Sequence, residues 1–328
     1  MISLFKRFML MLIMIKLAVL IPGYNEEDSV NFTLNAISKK LNEMIKKKMI
    51  SRNSFIAFID DGSSDKTWEV INKFKKNKYN NLKALKLSKN YGHQIALFAG
   101  IKEFYSQCDC SISVDADLQH DIGLFDKFIE FFKDDFEMVL AISDQKTESF
   151  FKIITANLFY KMLNFISFSK IEPNHADFRL LSKKSMEEIS KHESKSIFLR
   201  GLISSLNFKK KIIKYSVKER KFGKSKYTIF KMIRLALDGI TSQSTYPLRI
   251  SSITGFIILL FCFISSIAVF YDYFVNQNTV PGWASTIIPI YFLGGVQIFL
   301  LGIIGEYIAK IYKEVKKNPT YSITDKIR

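Results

Sequence analysis

Asp115 and Asp117 stand two residues apart at the end of the apolar run Ser111–Val114. In extended chain, residues i and i+2 point to the same side, so both carboxylates can share one partner. Two carboxylates with open positions suit Mg2+ or Mn2+ held jointly with the phosphates of a ligand. An isolated Asp-x-Asp is equally good turn or helix-cap chemistry. Its place after an apolar strand favours the metal reading here, because a second acidic pair, Asp60-Asp61, closes the apolar run Phe55–Ile59 in the same way.

Such residues work only if strands deliver them to one rim. Lys16–Ile21, Phe55–Ile59, Leu82–Leu87, Ser111–Val114 and Met138–Ile142 read as strands. Between them, Leu34, Ile37, Leu41 and Ile45 mark a helix face, as do Trp68, Ile71 and Phe74, the stretch His93–Phe104, and Leu124, Phe128 and Phe131. Strand–helix alternation predicts an α/β fold with a largely parallel sheet. Ligands of such sheets bind beyond the carboxyl ends of the strands. Those ends carry Pro22-Gly23-Tyr24-Asn25-Glu26-Glu27, Asp60 to Asp65, Ser88-Lys89-Asn90-Tyr91-Gly92-His93 and Asp115-Ala116-Asp117-Leu118-Gln119. No Gly-x-Gly-x-x-Gly follows the first strand and no Walker A loop occurs, which argues against a dinucleotide site and a P-loop.

The chain has 328 residues, 48 Lys+Arg against 31 Asp+Glu, a net charge of +17 and 48% hydrophobic residues. Disordered, collagen-like and disulfide-scaffold classes are excluded by that apolar content, by 14 Gly with 6 Pro, and by only 3 Cys. Cys108 and Cys110 read as reduced thiols, since Cys-x-Cys alone is a poor zinc site. Only eight of the basic residues are Arg, and Ile, Phe and Asn are abundant, so part of the Lys excess is background. The segment from Phe208 to Arg234 is different: it holds eleven cations and a single acid, Glu219. It precedes two uncharged apolar stretches, about 250–271 and 283–305, each long enough to span a bilayer as a helix. Lys and Arg flank the pair and are missing from the loop between them, which places both termini in the cytoplasm. Ile229, Ile233, Ala236 and Ile240 form the apolar stripe of an interfacial helix. Basic charge beside a span favours anionic membrane lipids as partners and argues against nucleic acid. Residues 1–15 read as an N-terminal extension: Met14 is a natural start, and a short membrane-touching helix is the alternative.

Taken together, Pro22-x-Tyr24-Asn25-Glu26, Asp60-Asp61-Gly62-Ser63 and Asp115-Ala116-Asp117-Leu118-Gln119 resemble family 2 glycosyltransferases of the GT-A fold. Asn90-Tyr91-Gly92-His93-Gln94, Ala176-Asp177-Phe178-Arg179-Leu180-Leu181, Phe198-Leu199-Arg200-Gly201, Ser225-Lys226-Tyr227 and Leu235 to Ile240 narrow the likeness. They resemble the polyprenyl-phosphate branch, with its bactoprenol glucosyltransferases and dolichyl-phosphate mannose synthases. The resemblance implies that Pro22, Tyr24, Glu26, Asp60, Asp61 and Asp115 bind a nucleotide sugar, with UDP-glucose as donor. One of Asp60 and Asp61 is expected to bind the nucleotide and the other to hold the turn. It implies Mg2+ or Mn2+ on Asp115, Asp117 and Gln119, and a reaction centre at Asp117 and Asp177. Arg220, Lys226 and Arg200 are implied for the phosphate of a polyprenyl acceptor, undecaprenyl phosphate. Asp177 has two other readings, orienting the acceptor or pairing with Arg179, and Arg200 has a plain helix-surface reading.

The implied reaction is inverting sugar transfer at the cytoplasmic face of a bacterial inner membrane, supplying lipid-linked sugar for cell-envelope glycans such as lipopolysaccharide. The implied organisation is a GT-A domain over 16–207, a basic juxtamembrane segment over 208–248, two transmembrane helices within 249–312 and a cytoplasmic tail over 313–328. A homo-oligomer stays open. A processive polysaccharide synthase is the nearest alternative, but its Gln-x-x-Arg-Trp motif is missing: Trp68 and Trp283 lie in other contexts. A membrane-anchored binding protein without chemistry is the other, and the intact Asp115-x-Asp117 argues against it.

Overall fold

The computed structural model describes residues 14–143, 175–193, 197–215, 246–274, 282–316 and 319–328. The N-terminal extension, Arg220, Lys226, the interfacial stripe and most of the basic segment lie outside those residues. The described strands form one sheet of eight, in the order β7-β5-β6-β4-β1-β2-β3-β8. They are β1 (Leu17–Gly23), β2 (Phe55–Asp60), β3 (Leu82–Leu87), β4 (Cys110–Ser113), β5 (Met138–Ser143), β6 (His175–Ser182), β7 (Lys210–Tyr215) and β8 (Ile323–Ile327). The central strands β3, β2, β1 and β4 run parallel, as expected. The sheet is more mixed than the alternation implied: β6 lies antiparallel between β4 and β5, and β8 lies antiparallel on β3.

The sandwich follows from strand geometry. β1 is buried over Leu17–Pro22, as a parallel strand covered on both faces must be. Its alternate residues serve opposite faces. Leu17, Val19 and Ile21 pack with Val30, Leu34 and Ile37 of α1 (Val30–Lys46), Ile71 and Phe74 of α2 (Thr67–Asn77) and Phe128 of α4 (Phe125–Lys133). Ala18 and Leu20 pack with Leu97, Phe98 and Ile101 of α3 (His93–Phe104), Met186 of α5 (Lys183–Ser190) and Ile203 of α6 (Leu199–Ser205). Each fully buried Leu, Ile or Phe contributes about 1.5–3 kcal/mol by leaving water, so these two layers hold the rim above them rigid. Burial also pushes the Cys108 thiol up to about 12, which keeps it unreactive at neutral pH.

Two long helices follow, α7 (Tyr246–Phe274) and α8 (Trp283–Val315). They cover both apolar stretches, and α8 runs ten residues beyond the second. Large apolar side chains along them stand exposed, among them Phe256, Phe261, Phe292, Ile298 and Phe299. Among the described residues one segment, Phe292–Tyr312, is long and apolar enough to cross a bilayer, and none of it is buried in the protein. α7 contributes a shorter apolar stretch, Leu248–Ile258.

Beyond α8 the chain returns to the sheet. β8 pairs with β3, Ser88 N donates to Ser322 O at 2.9 Å, and Lys326 Nζ meets Glu103 Oε1 at 2.6 Å. Tyr321 sets its ring edge-on to Phe98. The segment expected as a tail therefore carries the edge strand that caps β3, where unpaired N–H and C=O groups would otherwise invite aggregation.

Candidate active site

The turns after β1 and β2 are zipped together, which brings the predicted nucleotide residues to one place. Asn25 N donates to Ser63 Oγ at 2.9 Å, Ser64 N to Asn25 Oδ1 at 2.9 Å, and Glu26 N to Thr67 Oγ1 at 2.8 Å. Pro22 and Gly23 sit at the end of β1, opposite Ile59 and Asp60, with Tyr24 and Glu26 in the turn beyond. Glu26 Oε2 accepts from Ser29 Oγ at 2.6 Å.

The two acids at the end of β2 divide their work. Asp61 commits both carboxylate oxygens to the loop after β3, accepting from Tyr91 N and Gly92 N at 2.8 Å each. Gly62 lets that loop approach: its φ is +71°, and a Cβ there would lie 2.4 Å from the Lys89 carbonyl carbon. Asp60 Oδ1 accepts from Ser63 N at 2.9 Å, while Asp60 Oδ2 is buried with no hydrogen-bond partner. Burial pushes both carboxyls above their ordinary value. A buried orphan oxygen facing the rim is an acceptor waiting for a donor.

Asp115 and Asp117 lie in the turn after β4, where Leu118 N donates to Asp115 O and Leu118 takes a φ of +52°. His120 props this turn from below: its ring stacks on Phe178 at 4.9 Å, its Nδ1 accepts from Asp115 N at 3.3 Å, and its Nε2 lies 3.6 Å from Asp115 Oδ2. Asp117 Oδ1 accepts from Gln119 N at 3.2 Å. Asp115 Oδ1 is buried with no hydrogen-bond partner. Among the described residues no three His, Cys, Asp or Glu side chains gather into a metal site of their own. Two hard carboxylates, one with an oxygen that accepts no hydrogen bond, fit a divalent cation that completes its shell with ligand phosphates.

Asp177 lies beside this turn, because β6 pairs with β4 and Ser113 Oγ donates to Asp177 O. Its carboxylate is the meeting point of the site. Arg179 Nη2 donates to Oδ1, Arg200 Nη2 donates to Oδ2 at 3.1 Å, and His93 Nε2 lies 3.3 Å from Oδ2. His93 Nε2 also lies 3.5 Å from Asp115 Oδ1, so one imidazole bridges the two acids. Burial alone would raise the Asp177 carboxyl, but the Arg200 and Arg179 guanidiniums hold it well below the usual carboxylate range. Burial pulls the His93 imidazole down, and the Asp177 and Asp115 carboxylates outweigh it and keep its pKa raised. The pairing of Asp177 with Arg179 is thus present, and Arg200 turns inward to Asp177 although it begins on an exposed-looking helix. His93, Gln94 and His120 were not expected here. The Asn90-Tyr91-Gly92-His93-Gln94 run contains two of them: it closes the third strand and belongs to the family likeness, but neither signal gives His93 or Gln94 a role.

The family model for glycosyl transferase family 2 matches residues 18–190, and that for the GtrB C-terminal hairpin matches 246–311. The chain belongs to glycosyl transferase family 2. As a family 2 glycosyltransferase it has the mixed α/β GT-A fold, with α7 and α8 as its C-terminal hairpin. The uncharacterized glycosyltransferase YkoT of Bacillus subtilis (strain 168) is 40% identical, over 94% of this chain and 90% of that one. The prophage bactoprenol glucosyl transferase homolog of Escherichia coli (strain K12) is 36% identical, over 94% and 98%. The solved mannosyltransferase PcManGT from Pyrobaculum calidifontis, in complex with GDP-Man and Mn2+, superposes with a TM-score of 0.43 at 10% identity, over 97% and 96%.

Proposed function

We propose that this family 2 glycosyltransferase moves glucose from UDP-glucose to undecaprenyl phosphate at the cytoplasmic face of a bacterial membrane, inverting the anomeric centre. The observation that carries it is the Asp177 cluster: a buried carboxylate, two guanidiniums and an imidazole shared with Asp115, at the carboxyl rim of the sheet. The bactoprenol glucosyl transferase homolog supports the acceptor class and the sugar. Exposed apolar side chains on α7 and α8 support a membrane hairpin, and Lys and Arg on its flanks with none in its loop support cytoplasmic chain ends.

The chemistry follows from the acceptor. A phosphate monoester has a second pKa near 6, so at neutral pH it is largely dianionic and needs no general base. One of its oxygens forms a bond to the sugar C1 while the C1–O bond to the diphosphate breaks. That bonding pair leaves with the nucleoside diphosphate, and attack from the opposite face inverts C1. Arg200 and Arg179 hold the Asp177 carboxyl well below its ordinary value, which makes it a poor proton acceptor, so its part is orientation and not proton removal. Arg200 sets its planar fork on Asp177 through Nε and Nη2, and its fixed charge would draw the acceptor phosphate to the same place; Arg220 and Lys226 would add charge from the basic segment. Pro22, Tyr24, Glu26 and Asp60 would hold the nucleoside, with the orphaned Asp60 Oδ2 as its acceptor and Asp61 fixing the neighbouring loop. Asp115, Asp117 and Gln119 are the side chains that would hold Mg2+ or Mn2+, which when bound neutralises charge on the departing diphosphate.

Membranes carrying the full chain test this with a panel of UDP- and GDP-sugars, undecaprenyl phosphate and either metal, reading sugar-phospho-lipid by mass spectrometry. Glucosylated lipid from UDP-glucose is expected. No lipid-linked product from any donor would overturn the acceptor class, and product from another donor alone would overturn the sugar.

A further inference from the structure

Arg200 meets Asp177 from α6, a helix of only seven residues. Its first turn has one backbone bond, Leu202 N to Phe198 O at 3.0 Å, and Phe198 at the N-cap offers no side-chain hydrogen bond. A helix start leaves N–H groups that need outside partners. Gln94 supplies one. Its Oε1 accepts from Leu199 N at 2.9 Å, across 105 residues of sequence. Leu199 is the first residue of α6 and is fully buried, and Arg200 follows it.

Gln94 stands on a rigid base. It is the second residue of α3, directly after His93. Ile95 N and Ala96 N both donate to Gly92 O, and Asp61 fixes Gly92 N. Leu97, Phe98 and Ile101 bury the rest of α3 in the core. Two adjacent side chains at the start of α3 therefore act on the same carboxylate. His93 touches Asp177 directly, and Gln94 holds the helix whose Arg200 touches it from the other side.

The geometry points to Gln94 as a positioning residue for acceptor use. It fixes the start of α6 so that Arg200 presents its fork to Asp177 and, on the function proposed above, its charge to the acceptor phosphate. Gln94 acts through Leu199 N and α6.

The test uses the full chain in vesicles of phosphatidylethanolamine and phosphatidylglycerol, with undecaprenyl phosphate and UDP-glucose varied separately. Gln94→Met keeps the shape and removes the acceptor oxygen; Gln94→Glu keeps an oxygen for Leu199 N. Gln94→Met is expected to raise the KM for lipid phosphate about tenfold, the size of a buried donor losing its acceptor, with the donor KM unchanged. Gln94→Glu is expected to restore the acceptor KM. Arg200→Ala, measured alongside, separates the two claims. If Arg200→Ala raises the acceptor KM and Gln94→Met does not, the positioning role is overturned and the acceptor site stands. If Arg200→Ala leaves the acceptor KM unchanged, both are overturned. If Gln94→Met moves both KM values and the melting temperature together and Gln94→Glu rescues nothing, Gln94 is only structural and the inference fails.

Discussion

Replacing Asp177 by Asn tests the electrostatics of the site most directly. The amide keeps the size of the carboxylate and loses its charge. Arg179, whose side chain is 0% exposed, then loses the anion that faces it, while Arg200 at 28% exposed regains some contact with water. Breaking a buried ion pair by removing one member costs about 3–5 kcal/mol. Because Arg200 is partly solvated and His93 also adjusts, the lower end, about 3 kcal/mol, is expected. For a domain of this size that is a fall in Tm of about 6–12 °C. Differential scanning fluorimetry of the detergent-solubilised chain measures it. Arg179→Met in the same background should recover most of the loss, because the double variant no longer buries a guanidinium that has lost its nearest anion. The pH dependence has a defined sign. The folded pKa of Asp177 is depressed, so its stabilisation is fully present above the unfolded carboxyl value of about 3.9 and is lost as pH falls below it. The gap between wild type and Asp177→Asn should therefore be largest from about pH 5 to 6.5, narrow in part as pH rises through the raised pKa of His93, whose pairing with Asp177 is then lost, and close only in acid. A Tm unchanged by Asp177→Asn at neutral pH, or a gap that closes near pH 6, would refute the buried charge cluster.

Asp117→Ala should abolish sugar transfer in membranes while expression and Tm stay intact; near-normal turnover would remove Asp117 from the metal role. Gly62→Ala forces a side chain into a φ of +71° and against the Lys89 backbone, and should cost at least about 2 kcal/mol, read as lowered Tm together with weaker donor binding. An unchanged Tm would mean that the two loops do not touch as described. Asp60→Asn should weaken binding of the nucleoside diphosphate in calorimetry while lipid-phosphate KM holds, and equal losses on both substrates would count against the orphaned Oδ2 as a nucleoside contact.

The central strands were legible because burial on both faces writes them as short apolar runs: β3 matches its expected bounds residue for residue. β6 was not, because Asp177 and Arg179 occupy alternate positions in it and an ion pair in the core disguises a buried strand as a polar one. β8 was not, because an edge strand with three exposed residues of five has no apolar pattern to read. The acid pairs could be read from type and spacing; both acids of the first pair hold backbone, Asp61 the loop after β3 and Asp60 its own turn through Ser63 N. The contacts of His93, Gln94 and Arg200 could not, since each joins elements more than twenty residues apart and depends on side-chain direction.

The return of the chain to β3 also sets a length. From Val315, where α8 ends, to Ile323, where β8 begins, eight residues of fully extended chain span at most about 28 Å. From β8 to β4 is four strand spacings, about 19 Å. With α8 embedded in a bilayer, the rim carrying Asp115 is confined to a shell of about 50 Å around one mooring point, and cannot diffuse away between turnovers. Encounter with a lipid phosphate then becomes a search in the plane of the membrane: the enzyme waits at the surface where its acceptor is concentrated, and only the sugar donor has to arrive from solution.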